Sequence, residues 1–92
     1  MSIRETFEGK IYDTLKSIKE FVKESNLDQS DFSKLNVDFQ LNPEQDVDME
    51  DFTELYEYLK EKYEFAALQF EVNPLKTISE EVELRVQLKY IN

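Results

Sequence analysis

The 92-residue sequence contains no cysteine and no histidine. Without cysteine there is no disulfide, no thiol nucleophile and no thiolate metal site. Without histidine the commonest general base and the commonest transition-metal ligand are missing. One glycine and two prolines argue against disorder and against a loop-rich fold. These absences direct attention away from redox and metal chemistry and towards a packed domain.

Long apolar runs are also lacking. No run approaches the ~18 residues of a membrane-spanning helix, and charges throughout the first 25 residues predict no signal peptide. We therefore expect a soluble, cytoplasmic protein that folds as one domain over residues 1–92.

Positive charge is scarce: 21 acidic residues stand against 11 basic ones, for a net charge of −10. Such a chain is repelled by nucleic acids and by anionic lipid surfaces. The composition therefore predicts neither direct nucleic-acid binding nor membrane binding. The expected partners are basic protein surfaces, and proteins that bind nucleic acids are the commonest source of these.

The imbalance is concentrated in one segment. Between Glu44 and Glu64, nine acids stand against two lysines, which gives −7 in under a quarter of the chain. At 100° per residue, one side of a helix here is apolar, and it carries Phe52, Leu55, Tyr56, Leu59 and Tyr63. The opposite side, called the acidic face below, carries Glu50, Glu54, Glu57, Glu61 and Glu64.

The acidic face has a charge spacing comparable to that of DNA. Its five carboxylates extend over roughly 21 Å at about 1.5 Å per residue, whereas one DNA strand has a phosphate every ~3.4 Å. Asp46 and Asp48 extend the row, and Asp51 lies in the first helical turn, with Asp48 as the expected N-cap. Tyr58, on the flank of this helix, either anchors an interface or closes the edge of the core.

The first part of the chain has the periodicity of an amphipathic helix. Apolar residues recur at intervals of three or four from Ile3 to Val22, and Ser2-x-x-Glu5 has the form of a capping box. The pattern predicts a helix over residues 3–24, with Gly9 costing it up to ~1 kcal/mol. Five acids and five bases balance there, so no acidic face forms on it.

Three stretches alternate between apolar and polar residues and predict strands, at 35–41, 68–72 and 82–90. A turn at 73–77 suggests that the last two strands form an antiparallel hairpin. The expected fold is α/β (α+β), in the order α-β-α-β-β. It is a two-layer sandwich in which both helices cover one face of a three-stranded mixed sheet. We expect the strand at 82–90 to lie between the other two, which would be parallel.

Calcium binding and enzymatic activity are two functions that the sequence does not favour. Asp46, Asp48, Glu50 and Glu57 partly imitate a calcium-binding loop, but Asp51 occupies the sixth position, where that loop needs glycine. Paired carboxylates can hydrolyse glycosides, but here the carboxylates are too many and too exposed for such a pair. The sequence has no Ser-His or Cys-His pair and no glycine-rich phosphate loop. We therefore predict a non-enzymatic protein with no cofactor and no metal.

In its short length, its acid run from Glu44 to Asp51 and its acidic face, the chain resembles the small acidic DNA-mimic proteins of phages. The anti-restriction Arn type of T-even phages is an example. The resemblance implies an inhibitor in the host cytoplasm that occupies the DNA-binding site of a basic restriction, defence or nucleoid protein. The balanced charge of the first helix departs from the pattern, and a homodimer would lengthen the acidic track.

An alternative remains open from the sequence. The chain would then be a protein-interaction or assembly module that uses exposed tyrosines and the sheet edge of strand 35–41 or 82–90. In that case the acids serve solubility. DNA mimicry predicts strong salt dependence and competition by DNA, whereas edge pairing predicts little of either.

Overall fold

A computed structural model describes residues 2–75 and 81–92. This part of the chain forms a mixed α+β fold with two helices and a four-stranded sheet. In chain order the elements are β1 (Ser2–Gly9), α1 (Ile11–Glu24), β2 (Lys34–Leu41), α2 (Met49–Lys62), β3 (Ala67–Pro74) and β4 (Leu84–Ile91).

The predicted helix over residues 3–24 is wrong in its first third, which is strand β1. Ile3, Phe7 and Ile11 lie four residues apart, and this spacing fits a strand, which has a period of two, as well as a helix. Gly9 ends the strand at φ +144, in a conformation that L side chains rarely adopt. The Ser2-x-x-Glu5 motif therefore caps no helix.

Helix α1 begins at Ile11 without a side-chain cap from its own N-cap residue, Lys10. A distant residue supplies the missing acceptor instead. The Ile11 backbone N–H donates to the Glu83 carboxylate at 3.1 Å, which satisfies one of the free donors of the first turn. The start of α1 is thereby tied to the segment that leads into β4.

The sheet order is β1-β4-β2-β3, with β4 antiparallel to both of its neighbours and β2 parallel to β3. The expected parallel relation of residues 35–41 and 68–72 is confirmed. The expected hairpin of the last two strands is wrong, and so is the expected placement of the strand at 82–90 between the strands at 35–41 and 68–72. Because β1 adds a fourth strand, β4 lies between β1 and β2 instead.

This order also changes which strands have free edges. Strands β2 and β4, expected to offer an edge for assembly, are both interior, and the edges of the described sheet are β1 and β3. Of the predicted turn at 73–77, Asn73 and Pro74 belong to β3. Leu75 is buried and donates its N–H to the Leu41 carbonyl at 2.9 Å. Residues 76 and 77 lie outside the described part of the chain.

One hydrophobic core joins the sheet to both helices, which places them on the same face, as expected. Alternate residues of β2 and β4 point into this core, and their register pairs Val37 with Leu88 and Phe39 with Val86. The fully buried side chains of the helices include Ile18, Val22, Leu55 and Leu59. None of the helices formed by the described residues is long and apolar enough to cross a bilayer.

An aromatic cluster fixes the C-terminal end of α2 against the sheet. The ring of Phe32 meets those of Tyr63 and Tyr90 edge to face, at centroid distances of 5.0 and 4.8 Å. Burial raises the pKa of Tyr90 above its ordinary range, and the neighbouring Tyr63 adds to the effect. Edge-to-face pairs of this kind contribute ~0.5–1.5 kcal/mol beyond the area they bury.

Candidate functional site

The acidic face lies on the outer side of α2 and just beyond it. Glu50, Glu54, Glu57 and Glu61 are exposed on the helix, and Glu64 is exposed after the C-cap residue Tyr63. At about 1.5 Å per residue, the four helical glutamates span about 17 Å. The structure therefore brings these five residues to one surface.

The opposite side of α2 holds that surface in place. Phe52, Leu55, Leu59 and Tyr63 are buried in the core, as the apolar pattern predicts. Tyr56 differs, because 38% of its surface is exposed and its ring packs edge to face on Phe70 at the margin. A helix anchored along its length fixes the backbone positions from which its outer side chains project, which lowers the entropy cost of binding.

The three aspartates before and within the first turn occupy different environments. Asp46 is exposed in the loop before α2, and Asp51 is partly buried in the first turn. Asp48 is the N-cap, and its Oδ1 accepts a hydrogen bond from the Glu50 N–H at 3.0 Å. The predicted N-cap is confirmed, so part of the acid run near Asp48 has a role in helix stability.

We expect Asp48→Ala to lower the free energy of unfolding by about 1 kcal/mol, since alanine cannot accept the Glu50 N–H. Asp48→Asn should leave stability nearly unchanged, because asparagine caps as well as aspartate does. Urea unfolding followed by circular dichroism measures both variants. Equal stability of Asp48→Ala and the wild type would contradict the role assigned to the cap. Binding by Asp48→Asn then reports the contribution of the charge alone.

Within residues 2–75 and 81–92, no ion pair involves the acidic face. An ion pair joins Arg85 to Glu8 at 2.9 Å, on β4 and β1 and away from α2. Lys60 and Lys62 both lie beside the acidic face. The Lys60 ammonium lies 6.0 Å from the centre of the Tyr56 ring. Glu57, Lys60, Glu61 and Glu64 line a shallow depression of about 340 Å³. Exposed carboxylates of this kind are available to a cation of another molecule.

Tyr58 lies on the flank of α2 that faces α1. It is half-buried against the core, and its hydroxyl donates to the Lys19 carbonyl at 3.5 Å. This long hydrogen bond links the two helices, so Tyr58 closes the edge of the core in the free protein. Tyr12 on α1 is 72% exposed.

The exposed carboxylates of the acidic face offer electrostatic attraction. Among the described residues, no group of three or more acidic side chains is placed to hold a metal ion. Residues 49–57 of the calcium-loop pattern lie in α2, and a helix cannot provide the turn of such a loop. What the acidic face can do is attract and orient a cationic surface.

No protein-family model matches the chain, and no curated protein matches it at a significant level.

Reasoning from the sequence missed a second surface beside the acidic face. Met49, Tyr56, Phe70 and Val72 surround a groove between α2 and β3, although the sequence places Tyr56 in a buried apolar pattern and Phe70 and Val72 on the buried face of a strand. The composition of β3 could have indicated this apolar surface, because Glu71 is the single charged residue of the strand.

Proposed function

We propose that this protein is a non-enzymatic acidic binding protein that acts as a DNA mimic. It occupies the DNA-binding site of a basic host protein of the restriction, defence or nucleoid type. The observation that supports this proposal most directly is the exposed acidic face on an anchored helix, which forms no ion pair with the described part of the chain. In this role the carboxylates of Glu54, Glu57 and Glu61 meet the lysines and arginines that otherwise hold phosphates.

The remaining candidate residues have supporting roles in the proposal. Glu50 and Glu64 extend the row at its two ends, and Asp46 continues it into the loop. Asp48 and Asp51 add negative potential at the N-terminus of α2, and Tyr58 offers a ring at the border of the surface. Charge displayed in this way speeds association and makes it dependent on salt.

A displacement assay tests the proposal. Purified restriction enzymes and nucleoid-associated proteins are each loaded with a fluorescent DNA duplex, and the acidic protein is titrated in. We expect it to release the duplex from its partner, with an apparent affinity at least about tenfold weaker at 200 mM than at 50 mM salt. If acids serve solubility alone, neither effect occurs. Failure to displace the duplex across the panel, or a ternary complex with DNA still bound, would overturn the proposal.

A further inference from the structure

An apolar groove of about 180 Å³ lies between α2 and β3, on the flank of α2 opposite the one that contacts α1. Its floor and walls are formed by Phe39, Phe52, Met49, Tyr56, Phe70 and Val72. Met49 is 60% exposed and Val72 is 49% exposed. The groove is therefore open to solvent while its floor belongs to the core, and an apolar side chain entering it would be removed from water.

The backbone of β3 adjoins this groove as a free edge. Ala67 and Leu75 donate their N–H groups to the carbonyls of Ser33 and Leu41, both at 2.9 Å, at the two ends of the parallel ladder with β2. Alternate residues of a strand bond to the same neighbour, so the N–H and C=O groups of Leu68, Phe70 and Val72 point away from β2. No other strand of the described part of the chain pairs with them.

The two edges of the sheet differ in how they are protected. On β1, the partly buried Glu5 shares the inner face with Phe7, and Arg4 and Glu8 lie on the outer face. Charges of this kind, above all inward-pointing ones, prevent the addition of a further strand. On β3 the only charge is Glu71, on the outer face. The edge at β1 is therefore protected, whereas the edge at β3 is open to the described part of the chain from Ala67 to Asn73 and ends at Pro74, which has no N–H to offer.

The charges around β3 indicate which kind of strand it would accept. Glu71 lies in register with Asp38 on the outer face of the sheet, and like charges on neighbouring strands are destabilising. The protein as a whole carries −10. A second copy would bring two strongly negative chains together and place Glu71 near its own counterpart. The Asp38 carboxylate already accepts hydrogen bonds from the amides of Asn73 and Gln40, at 3.0 and 3.3 Å. A basic strand would bring a cation to the exposed Glu71 beside it.

We propose that β3 binds an extended segment of a basic protein in which apolar residues alternate with lysine or arginine. This segment adds a fifth strand to the sheet. Its residue opposite Phe70 exchanges two backbone hydrogen bonds with Phe70 and places an apolar side chain in the groove, beside Tyr56. The next residue, on the outer face, brings its cation to Glu71. This surface lies on a different side of α2 from the acidic face, and the inference does not depend on DNA mimicry.

A fluorescent nine-residue peptide of alternating valine and lysine is the probe, and its binding is measured by anisotropy. The variant Val72→Pro removes an N–H that points away from β2, and proline is tolerated at such an edge position. We expect it to weaken peptide binding at least tenfold. Glu71→Lys should weaken binding several-fold without loss of stability. Glu24→Lys makes the same change in net charge at an exposed position of α1. Its peptide affinity should stay within twofold of that of the wild type.

Two further peptides separate strand addition from general charge attraction. A version methylated on its valine backbone nitrogens cannot donate the valine N–H hydrogen bonds to β3, and a lysine–serine version has no apolar side chains. Both should bind at least tenfold more weakly. Equal binding of these peptides, or of Glu71→Lys and Glu24→Lys, would overturn the proposal. So would unchanged binding by folded Val72→Pro. Sedimentation that shows a dimer which the peptide does not dissociate would assign the edge to a second copy and reject the basic segment. If Val72→Pro fails to fold, the Glu71→Lys comparison and the two peptides decide.

Discussion

Binding to the basic partner is expected to fall about 100-fold when Glu54, Glu57 and Glu61 are replaced together by lysine. Each replacement removes an attraction and adds a repulsion, each of about 0.5 kcal/mol for exposed charges. The three replacements together amount to about 3 kcal/mol, which corresponds to a factor of about 100 in affinity. The measurement is titration of the partner that releases its DNA duplex in the displacement assay, at fixed low salt.

The triple variant should remain folded, which separates a loss of binding from a loss of structure. Glu50, Glu54, Glu57 and Glu61 are like charges at helical spacing, and each such pair costs roughly 0.2–0.5 kcal/mol. Reversal of three members converts some of these pairs into attractions. Stability in urea should therefore be unchanged or higher by about 1 kcal/mol. A triple variant that binds like the wild type would refute the role of the acidic face.

Helix α1 offers a matched control. Asp13, Glu20 and Glu24 are exposed on it, and their replacement by lysine changes the net charge from −10 to −4, as the first triple variant does. This control should retain affinity to within about threefold, because only the long-range part of the attraction is lost at the Debye length of ~10 Å. Equal losses in both variants would show that net charge matters and that the position of the acids does not.

Gly9→Ala should destabilise the protein by about 1–3 kcal/mol. The residue has φ +144, a region in which a side chain imposes strain of that order. The space around it is not the obstacle, since a Cβ atom would lie 3.6 Å from the Thr14 hydroxyl oxygen. The strain arises in the backbone between β1 and α1. Thermal and urea unfolding measure the effect.

The sign of this result distinguishes two structures. If residues 3–24 formed one helix, Gly9→Ala would stabilise it by up to ~1 kcal/mol, because alanine has the higher helix propensity. Ser17→Ala, at an exposed position inside α1, is the control. It should be neutral or slightly stabilising in either case. A stabilising Gly9→Ala would contradict the strand β1.

The start of the chain shows where the sequence is ambiguous. Apolar residues every four positions satisfy a helix and a strand equally well, so Ile3 and Phe7 do not distinguish the two. The choice depends on β4, whose free side accepts β1 in a register that pairs Phe7 with Val86. Phe7 also packs on Phe21 of α1, with ring centroids 5.6 Å apart. Such a long-range contact has no local signal.

The acidic face shows the opposite case. Its position follows from the 3.6-residue period of the helix and from the buried residues Phe52, Leu55 and Leu59, which recur three and four positions apart. The N-cap at Asp48 has a similarly local cause, since the hydrogen bond to Glu50 spans two residues. Properties that depend on neighbours within one helix can be predicted from the sequence with few assumptions.

The sequence by itself determined the amphipathic helix α2, its acidic face, the alternation of β2 and β4 and the excess of negative charge. The tertiary structure decided that β1 is a strand, that β4 lies inside the sheet, and that β3 has a free edge beside an apolar groove. The physical reason is the distance along the chain between the residues that interact. Periodicity records which side of an element is buried, but the order of strands depends on contacts between residues far apart in the chain, such as Gly9 with Leu84 and Leu41 with Leu84.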